Sequence, residues 1–275
     1  MRRESFSTPE PIRLDLRVPA GEIDVQAGDT TETSVELEPI GGAESASAVE
    51  EARLELRDGI LVVDVSEQRG IRLFSRGPEV RLAVRCPHGC DLTVRASSAD
   101  VRASGRFASA DVESASGDIA LGEVDGDAKV KAASGDLELG RIDGSLGAQA
   151  ASGDIEVEHV GGAAKIRTAS GDVNVGRADS SVTVQTASGD QRIGSVSSGE
   201  VSLRSASGDI WVGIRRGSGV WVDAASMSGE TTSELDVGGE PPVEAGEGPL
   251  VELRAQSMSG DVYVARAVAA PELER

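Results

Sequence analysis

The triplet Ser-Gly-Asp recurs at a fixed interval from residue 116 to residue 190 of this chain and continues at longer intervals beyond it. Its copies begin, 18 residues apart, at Ser116, Ser134, Ser152, Ser170 and Ser188. Further copies begin at Ser207 and at Ser259, and the variant Ser-Gly-Glu begins at Ser228. A fixed period of this length indicates one supersecondary unit that is repeated and stacked.

Within one unit, apolar and polar residues alternate. Leu137 and Leu139 flank Glu138, and Val130 follows Lys129. A period of two is typical of half-buried strands, whereas a helix needs apolar residues three and four apart. The residues of the triplet are turn formers, because Gly adopts positive φ and Ser and Asp bond to nearby backbone.

Aligning the units turns single residues into apolar columns. Two of these columns contain Val112, Val130, Ala148, Ile166 and Val184, and Ile119, Leu137, Ile155 and Val173. We therefore predict an all-β fold, a single-chain parallel β-solenoid (β-helix) with about 18 residues per coil and a rise of about 4.8 Å. Gln191 is the polar exception in the second column, and we predict that isoleucine there is neutral or stabilising.

The regular repeat covers only part of the chain. Residues 1–90 are strand-rich but irregular and are predicted to form an N-terminal β cap that continues into the solenoid. Residues 91–265 form the solenoid, and residues 266–275 form a C-terminal tail. Residues 41–50 and 238–249 are predicted to be surface loops, the second of which explains the long last step of the repeat.

Composition limits the classes of partner. The net charge of −20 argues against nucleic acid or an anionic membrane as a partner. No run of about 18 apolar residues is present, so no transmembrane segment is predicted. The charged start has no apolar stretch behind it, so we expect no signal peptide and a cytoplasmic protein.

The coil motif Ala-Ser-Gly-Asp-(Ile/Leu/Val)-x-(Leu/Val), together with the segment Thr-Pro-Glu-Pro-Ile-Arg-Leu at 8–14, resembles a bacterial protein family. This is the "putative adhesin" family of unknown function, whose relatives are called toast-rack domains. The resemblance implies a β-solenoid without catalysis. In some relatives it implies a scaffold in envelope-stress or membrane-associated signalling.

An aspartate ladder accompanies the repeat. Its members are Asp118, Asp136, Asp154, Asp172, Asp190, Asp209, Glu230 and Asp261. A row of calcium ions would relieve the repulsion between stacked carboxylates, but each turn offers one carboxylate and calcium prefers about six to eight oxygens. The alternative, turn capping by Asp and Ser, is favoured, and no metal or cofactor is predicted.

The segment Cys86-Pro-His-Gly-Cys90 contains both cysteines of the chain. A metal site or a redox pair is one interpretation, and a Pro-x-Gly turn between strands is the other. A closed zinc site needs further ligands, and the only other histidine, His159, lies far along the repeat. No nucleophile motif accompanies the two histidines, so we predict no catalytic residues and no enzyme.

Two sets of outward side chains are candidates for partner binding. The first is the basic set Lys129, Lys131, Lys165 and Arg167, whose alternative role is pairing with nearby carboxylates. The second is Trp211, Trp221 and Tyr263, which stand between apolar neighbours in a chain with 2% aromatics. Exposed Trp and Tyr are enriched at binding hot spots, although the 238–249 loop or the tail could cover them.

The predicted function is therefore a non-enzymatic, adhesin-like scaffold or protein-interaction module that binds a protein partner or itself. One alternative is a self-assembling structural protein that polymerises through its coil ends. The other is a carbohydrate-binding or carbohydrate-processing β-helix.

Overall fold

Successive coils of the repeat pair through parallel strands, as the 18-residue period predicts, and the all-β parallel solenoid is confirmed. The computed structural model describes residues 1–65, 77–235 and 249–267. Two compact units divide the chain, Met1–Gly144 and Ser145–Arg275. No helix in these ranges is long and apolar enough to cross a bilayer.

The described residues of the first unit form eleven strands and one helix. The strands are β1 (Arg2–Ser7), β2 (Arg13–Gly28), β3 (Glu32–Ile40), β4 (Arg53–Arg57), β5 (Ile60–Asp64), β6 (Glu79–Pro87), β7 (Asp91–Phe107), β8 (Ser109–Ser116), β9 (Ile119–Val124), β10 (Ala128–Ser134) and β11 (Leu137–Ile142). The predicted columns form its core, since Val130 lies opposite Val112 and Leu137 opposite Ile119.

The N-terminal strands do not stack in chain order. Strand β2 pairs in parallel with β5 and β6 on one edge and with β7 on the other. Strands β1, β3 and β4 add antiparallel pairings to this core. The first coil of the chain is thereby inserted between segments that follow it in sequence.

The prediction of a loop at 41–50 is wrong. Residues Ala43–Glu51 form helix α1, which packs against β3. Ala48 and Val49 are buried on its inner face. The segment is rich in Ala and Glu, which favour helix, and burial of this small apolar face stabilises it.

Twelve strands lie in the described part of the second unit. They are β12 (Leu146–Ser152), β13 (Ile155–Val160), β14 (Ala164–Ser170), β15 (Val173–Ala178), β16 (Val182–Ser188), β17 (Gln191–Val196), β18 (Gly199–Ser207), β19 (Ile210–Ile214), β20 (Gly219–Ser226), β21 (Thr231–Ser233), β22 (Leu250–Ser259) and β23 (Val262–Arg266). The register follows the repeat, with Ile166 opposite Val184 and Val173 opposite Gln191.

The last two coils are stacked in reverse chain order. Strands β22 and β23 pair with β18 and β19 on one edge and with β20 and β21 on the other. The coil of residues 250–266 is therefore inserted between the coils of residues 199–214 and 219–235. Chain order would place Trp211 and Tyr263 two coils apart, but this insertion makes them direct neighbours.

Arg266 forms hydrogen bonds to the connection that passes across the inserted coil from β19 to β20. This connection, residues 215–218, joins β19 to β20. The Arg266 Nη1 atom donates to the carbonyl oxygens of Arg215 at 3.2 Å and Ser218 at 2.9 Å. The tail after Ala267 and the predicted loop up to Gly248 lie outside the described residues.

The aspartate ladder caps turns. Oδ1 of Asp154 accepts the backbone N–H of Asp172 at 2.8 Å, and Oδ1 of Asp172 accepts that of Asp190 at 2.8 Å. The glycine before each aspartate has positive φ, +122° at Gly171 and +130° at Gly189. Each carboxylate thus supplies a hydrogen bond that the open turn of the next coil would otherwise lack.

Calcium should not contribute to stability, because these carboxylate oxygens already accept backbone hydrogen bonds. We expect the melting temperature to be the same with chelator and with millimolar calcium. Thermal unfolding with matched magnesium controls for ionic strength. A rise specific to calcium would show ligand linkage and contradict this prediction.

Gln191 is buried in the apolar column, with 1% of its surface exposed. Its Nε2 group donates to Thr186 Oγ1 and to the Arg204 carbonyl, both at 2.8 Å. Its Oε1 atom is buried without a partner among the described residues. The amide is therefore half satisfied, which the column alignment alone does not predict.

Gln191→Ile should change the free energy of unfolding by no more than about 1 kcal/mol. Two hydrogen bonds worth about 0.5–1.5 kcal/mol each are lost, while a buried unpaired carbonyl is removed and apolar burial is gained. Thr186→Val should cost about 1–2 kcal/mol in the native background, since it leaves an amide N–H unpaired. Chemical denaturation of both single variants and the double variant checks this. A Thr186→Val cost that is the same in the Gln191→Ile background would contradict it.

Candidate interaction surface

Trp211 lies between an arginine and a tyrosine on an outward column of the second unit. Its ring stacks on Tyr263 with centroids 6.1 Å apart and planes at 17°. The Arg192 guanidinium carbon lies 4.8 Å from the Trp211 centroid. Arg192 and Tyr263 come from the strands on opposite sides of β19, so they occupy opposite faces of the indole.

The other two aromatic side chains also have partners within the chain. The Tyr263 hydroxyl donates to Glu234, and this bond raises the pKa of Tyr263. The Arg254 guanidinium carbon lies 5.8 Å from the Trp221 centroid. All three aromatics stand at outward positions, and each is half-buried. Ladder contacts between coils explain part of that burial, while the predicted covering segments lie in undescribed parts of the chain.

Two exposed methionines occupy one position of the last two coils. Met227 follows Ser226 and Met258 follows Ser257, and these two serines lie opposite each other in β20 and β22. The exposed fractions are 82% for Met227 and 58% for Met258. The regular coils have alanine at this position, directly before the Ser-Gly-Asp triplet, at Ala133, Ala151, Ala169, Ala187 and Ala206. The alignment of the coils contains this change, but the sites predicted from the sequence do not include it.

The methionines line an open groove of about 510 Å³ in the second unit. Its polar rim includes Gln185, Arg204 and Gln256, which lie side by side on β16, β18 and β22. Flexible thioether side chains adapt to apolar ligands, and amide and guanidinium groups can bond to a peptide backbone. The groove can therefore hold an extended apolar segment.

The predicted basic residues belong to different units. In the first unit, Lys129 and Lys131 form ion pairs with Glu113 at 3.3 and 3.2 Å. In the second unit, Lys165 and Arg167 are exposed on β14. In the structure, the two lysines of the first unit therefore form the ion pairs that are the alternative to partner binding.

A polar cluster surrounds Asp179 in the second unit. The carboxylate of Asp179 lies 2.8 Å from His159 Nε2, and it accepts hydrogen bonds from Arg177 and from Ser197 Oγ at 3.1 Å. The serine donates to the aspartate and not to the histidine. This is not the order of a Ser-His-Asp triad, in which the histidine lies between the other two residues.

Asp179 should stabilise the fold at neutral pH and lose this effect in acid. Burial acts to raise the pKa of Asp179, but the bonds from His159, Arg177 and Ser197 outweigh it and lower the pKa from 3.8 to about 2. A lowered pKa means that the stabilisation is present above about pH 4 and disappears as the pH falls through about 2.

Asp179→Asn should therefore cost about 1–2 kcal/mol at pH 7, and this cost should decrease steadily as the pH falls from about 4 to below about 2. Urea unfolding across this pH range measures the difference. Asp143→Asn in the first unit is the matched control, because the Asp143 carboxylate is exposed and, within the described ranges, accepts only from Arg141 at 2.8 Å. A cost of Asp179→Asn that is independent of pH would contradict the prediction.

Cys86 and Cys90 are both buried and unbridged. The neighbouring Cys86 thiol lowers the pKa of Cys90 to about 7, and the interaction with Cys90, together with burial, raises the pKa of Cys86. The Ile12 N–H donates to Cys90 Sγ at 3.3 Å. Gly89 has a φ of +78°, as a Pro-x-Gly turn requires. No group of metal ligands was found in the described part of the chain.

Comparisons with known proteins gave one family and several structures. The family described as Toastrack DUF4097 matches residues 13–174 and 160–265. A "putative adhesin" from Parabacteroides merdae is 12% identical, with 95% of each chain covered and a TM-score of 0.45. A "putative adhesin" from Bacteroides fragilis is 10% identical, with 96% of each chain covered and a TM-score of 0.34.

A third solved structure has a different description. It is a "putative lipid binding protein" from Parabacteroides distasonis, 12% identical, with 96% of each chain covered and a TM-score of 0.31. A search of curated proteins found no match.

Proposed function

The chain belongs to the Toastrack DUF4097 family, and we propose that this adhesin-like β-solenoid is a non-enzymatic interaction module that binds a protein partner on its C-terminal coils. The observation that carries the proposal is the replacement of a repeated alanine by Met258 and Met227 in the last two coils. Neither change has a role in the core, because both side chains are exposed. Large apolar side chains that a solenoid keeps in water at one end are typical of a binding surface.

The groove favours an extended apolar segment of a protein. Met227 and Met258 provide adaptable apolar contact. Gln185, Arg204 and Gln256 can donate hydrogen bonds to the carbonyl groups of a bound backbone. Donors of this kind fix the direction and register of a peptide without requiring one particular sequence.

A carbohydrate ligand is less well supported at the aromatic column. Sugars bind aromatic side chains by stacking on a ring face, and both faces of Trp211 are in contact with Arg192 and Tyr263. Only the ring edges of Trp211 are left for a ligand. We therefore assign the column of Trp211 and Tyr263 a supporting role, as further contacts for the same partner.

The test restores the alanine of the regular coils. A full-length Met227→Ala/Met258→Ala variant should keep its melting temperature, because alanine occupies this position in other coils. It should lose partners that the native chain captures from native lysate. Ala169→Met, which adds a methionine at the same position of an inner coil, is the control for non-specific apolar binding. Equal capture by native chain and double variant would refute the groove, and binding on a glycan array that the double variant retains would favour a carbohydrate role.

The resemblance to toast-rack domains extends the proposal to a scaffold role in envelope-stress or membrane-associated signalling. Under this proposal, the captured partner is a component of such a system. The cytoplasmic location predicted above stays a prediction, which fractionation of the native cells would test.

A further inference from the structure

The terminal coil of the second unit has an open strand edge. Among the described residues, β20 pairs only with β22, and β21 pairs only with β23. The inward side chains Val220 and Val222 of β20 are half-buried, whereas Leu253, which lies opposite Val222, is fully buried. The last coil thus offers unpaired backbone groups together with half-covered apolar side chains.

This edge lacks the charges that protect other edge strands of the chain. Strands β1 and β4 in the first unit each have a single partner among the described residues, and they contain Arg2, Arg3 and Glu4, and Arg53, Glu55 and Arg57. Strand β20 contains one charged residue in eight, Asp223, and β21 contains none. Charged side chains on edges prevent unwanted strand pairing, so their scarcity on β20 is consistent with an edge that pairs.

The sequence of β20 is complementary to itself when the strand is reversed. Antiparallel pairing centred on Val222 places Asp223 of each copy opposite Trp221 of the other. Within its own chain, Asp223 lies opposite Arg254. Each Asp223 would therefore lie between an arginine and a tryptophan, and no like charges would lie directly opposite each other, although the chain has a net charge of −20.

We propose that β20 is a homodimer interface, through which a second copy of this chain adds its own β20 in antiparallel orientation. Such pairing is isologous, so one contact satisfies both edges and closes the assembly as a dimer. It continues the apolar column, since Val222 would meet Val222 and Val220 would meet Ala224. Ala225 and Ser226 at the end of β20 also line the groove, but the pairing uses the backbone edge of β20 and not the methionine side chains, so it does not depend on the function proposed above.

Sedimentation velocity of the full chain over a wide concentration range tests this proposal. The native chain should dimerise reversibly. Trp221→Glu, which faces Asp223 of the second copy, should raise the dissociation constant about tenfold or more. Adding Asp223→Lys should restore the dimer, because position 221 then faces a lysine. Thr183→Glu is the matched control, since it adds the same charge outward on β16, whose two edges are already paired.

Each other outcome overturns the proposal. A chain that stays monomeric at all concentrations would overturn it. Protection of the β20 amides of that monomer from hydrogen exchange would show that residues of the same chain cover the edge. A dimer that is insensitive to Trp221→Glu would place the interface elsewhere, as would open-ended polymers. Should Trp221→Glu lose its native circular dichroism, hydrogen exchange of the β20 amides of the native chain replaces it, and their protection should rise with protein concentration. The Met227→Ala/Met258→Ala variant should still dimerise, which separates this result from the groove.

Discussion

Replacing Gly189 by alanine should destabilise the second unit by more than about 4 kcal/mol, a cost that few single substitutions reach. A methyl group on Gly189 would lie 2.1 Å from the carbonyl oxygen of Gly171 and 2.6 Å from its carbonyl carbon. Both are backbone atoms of the neighbouring coil, so neither can move without breaking the ladder. The φ of +130° adds strain, because side chains other than glycine rarely adopt it.

Gly147→Ala provides the matched control. A methyl group on Gly147 meets nothing within 4 Å, and the residue lies in the strand β12 of the same unit. This substitution should be neutral, or stabilising by up to about 1 kcal/mol through the reduced entropy of the unfolded chain. Denaturant unfolding followed by circular dichroism measures both variants. Similar stabilities for Gly189→Ala and Gly147→Ala would show that the coils are not stacked as closely as the structure requires.

The regular coils could be predicted from the sequence because one residue type recurs in one environment. A strand that stacks on a copy of itself places Val130 against Val112 and Ile166 against Val184, so the period fixes the register. The ladder aspartates followed from the same period. Their hydrogen bonds to the next coil did not, since the sequence does not show which backbone group a carboxylate reaches.

Helix α1 was missed because the repeat does not extend to it. Its nine residues are too few for a clear helical period, and only tertiary burial of Ala48 and Val49 holds them in place. The exposed methionines were missed for another reason. The alignment contained the change from alanine to methionine. The position lies next to a turn, however, where the alternation along a strand does not predict which way a side chain points.

The reversed order of the last coils has a physical cause that the sequence contains. Thr231 and Ser233 lie opposite Val262 and Val264, so they occupy inward columns that are apolar in most coils. An inserted coil buries its inward side chains on both sides, whereas a terminal coil leaves one side open. Insertion therefore buries more apolar surface in the coil of residues 250–266, which stabilises the fold. The coil with Thr231 and Ser233 loses less burial free energy at the terminal position.

This order predicts unequal costs for two substitutions of the same kind. Val251 and Val220 lie opposite each other in β22 and β20. Val251 is fully buried in the inserted coil, while Val220 is half-buried in the terminal coil. Val251→Ala should cost about 2–3 kcal/mol, from lost burial and the cavity left behind. Val220→Ala should cost less than about 1 kcal/mol, since water already reaches that side chain.

If the coils were stacked in chain order, the two values would be exchanged. Residues 219–235 would then pair directly with β18, Val220 would be covered on both sides, and Val251 would lie on the open coil. Chemical denaturation of the two variants therefore decides between the orders without a further structure. The fluorescence of Trp211 provides an independent test of the order, because in the inserted order its ring stacks on Tyr263. Tyr263→Ala should then change the Trp211 emission, whereas in chain order Thr232 would be the neighbour of Trp211 and the emission would stay unchanged.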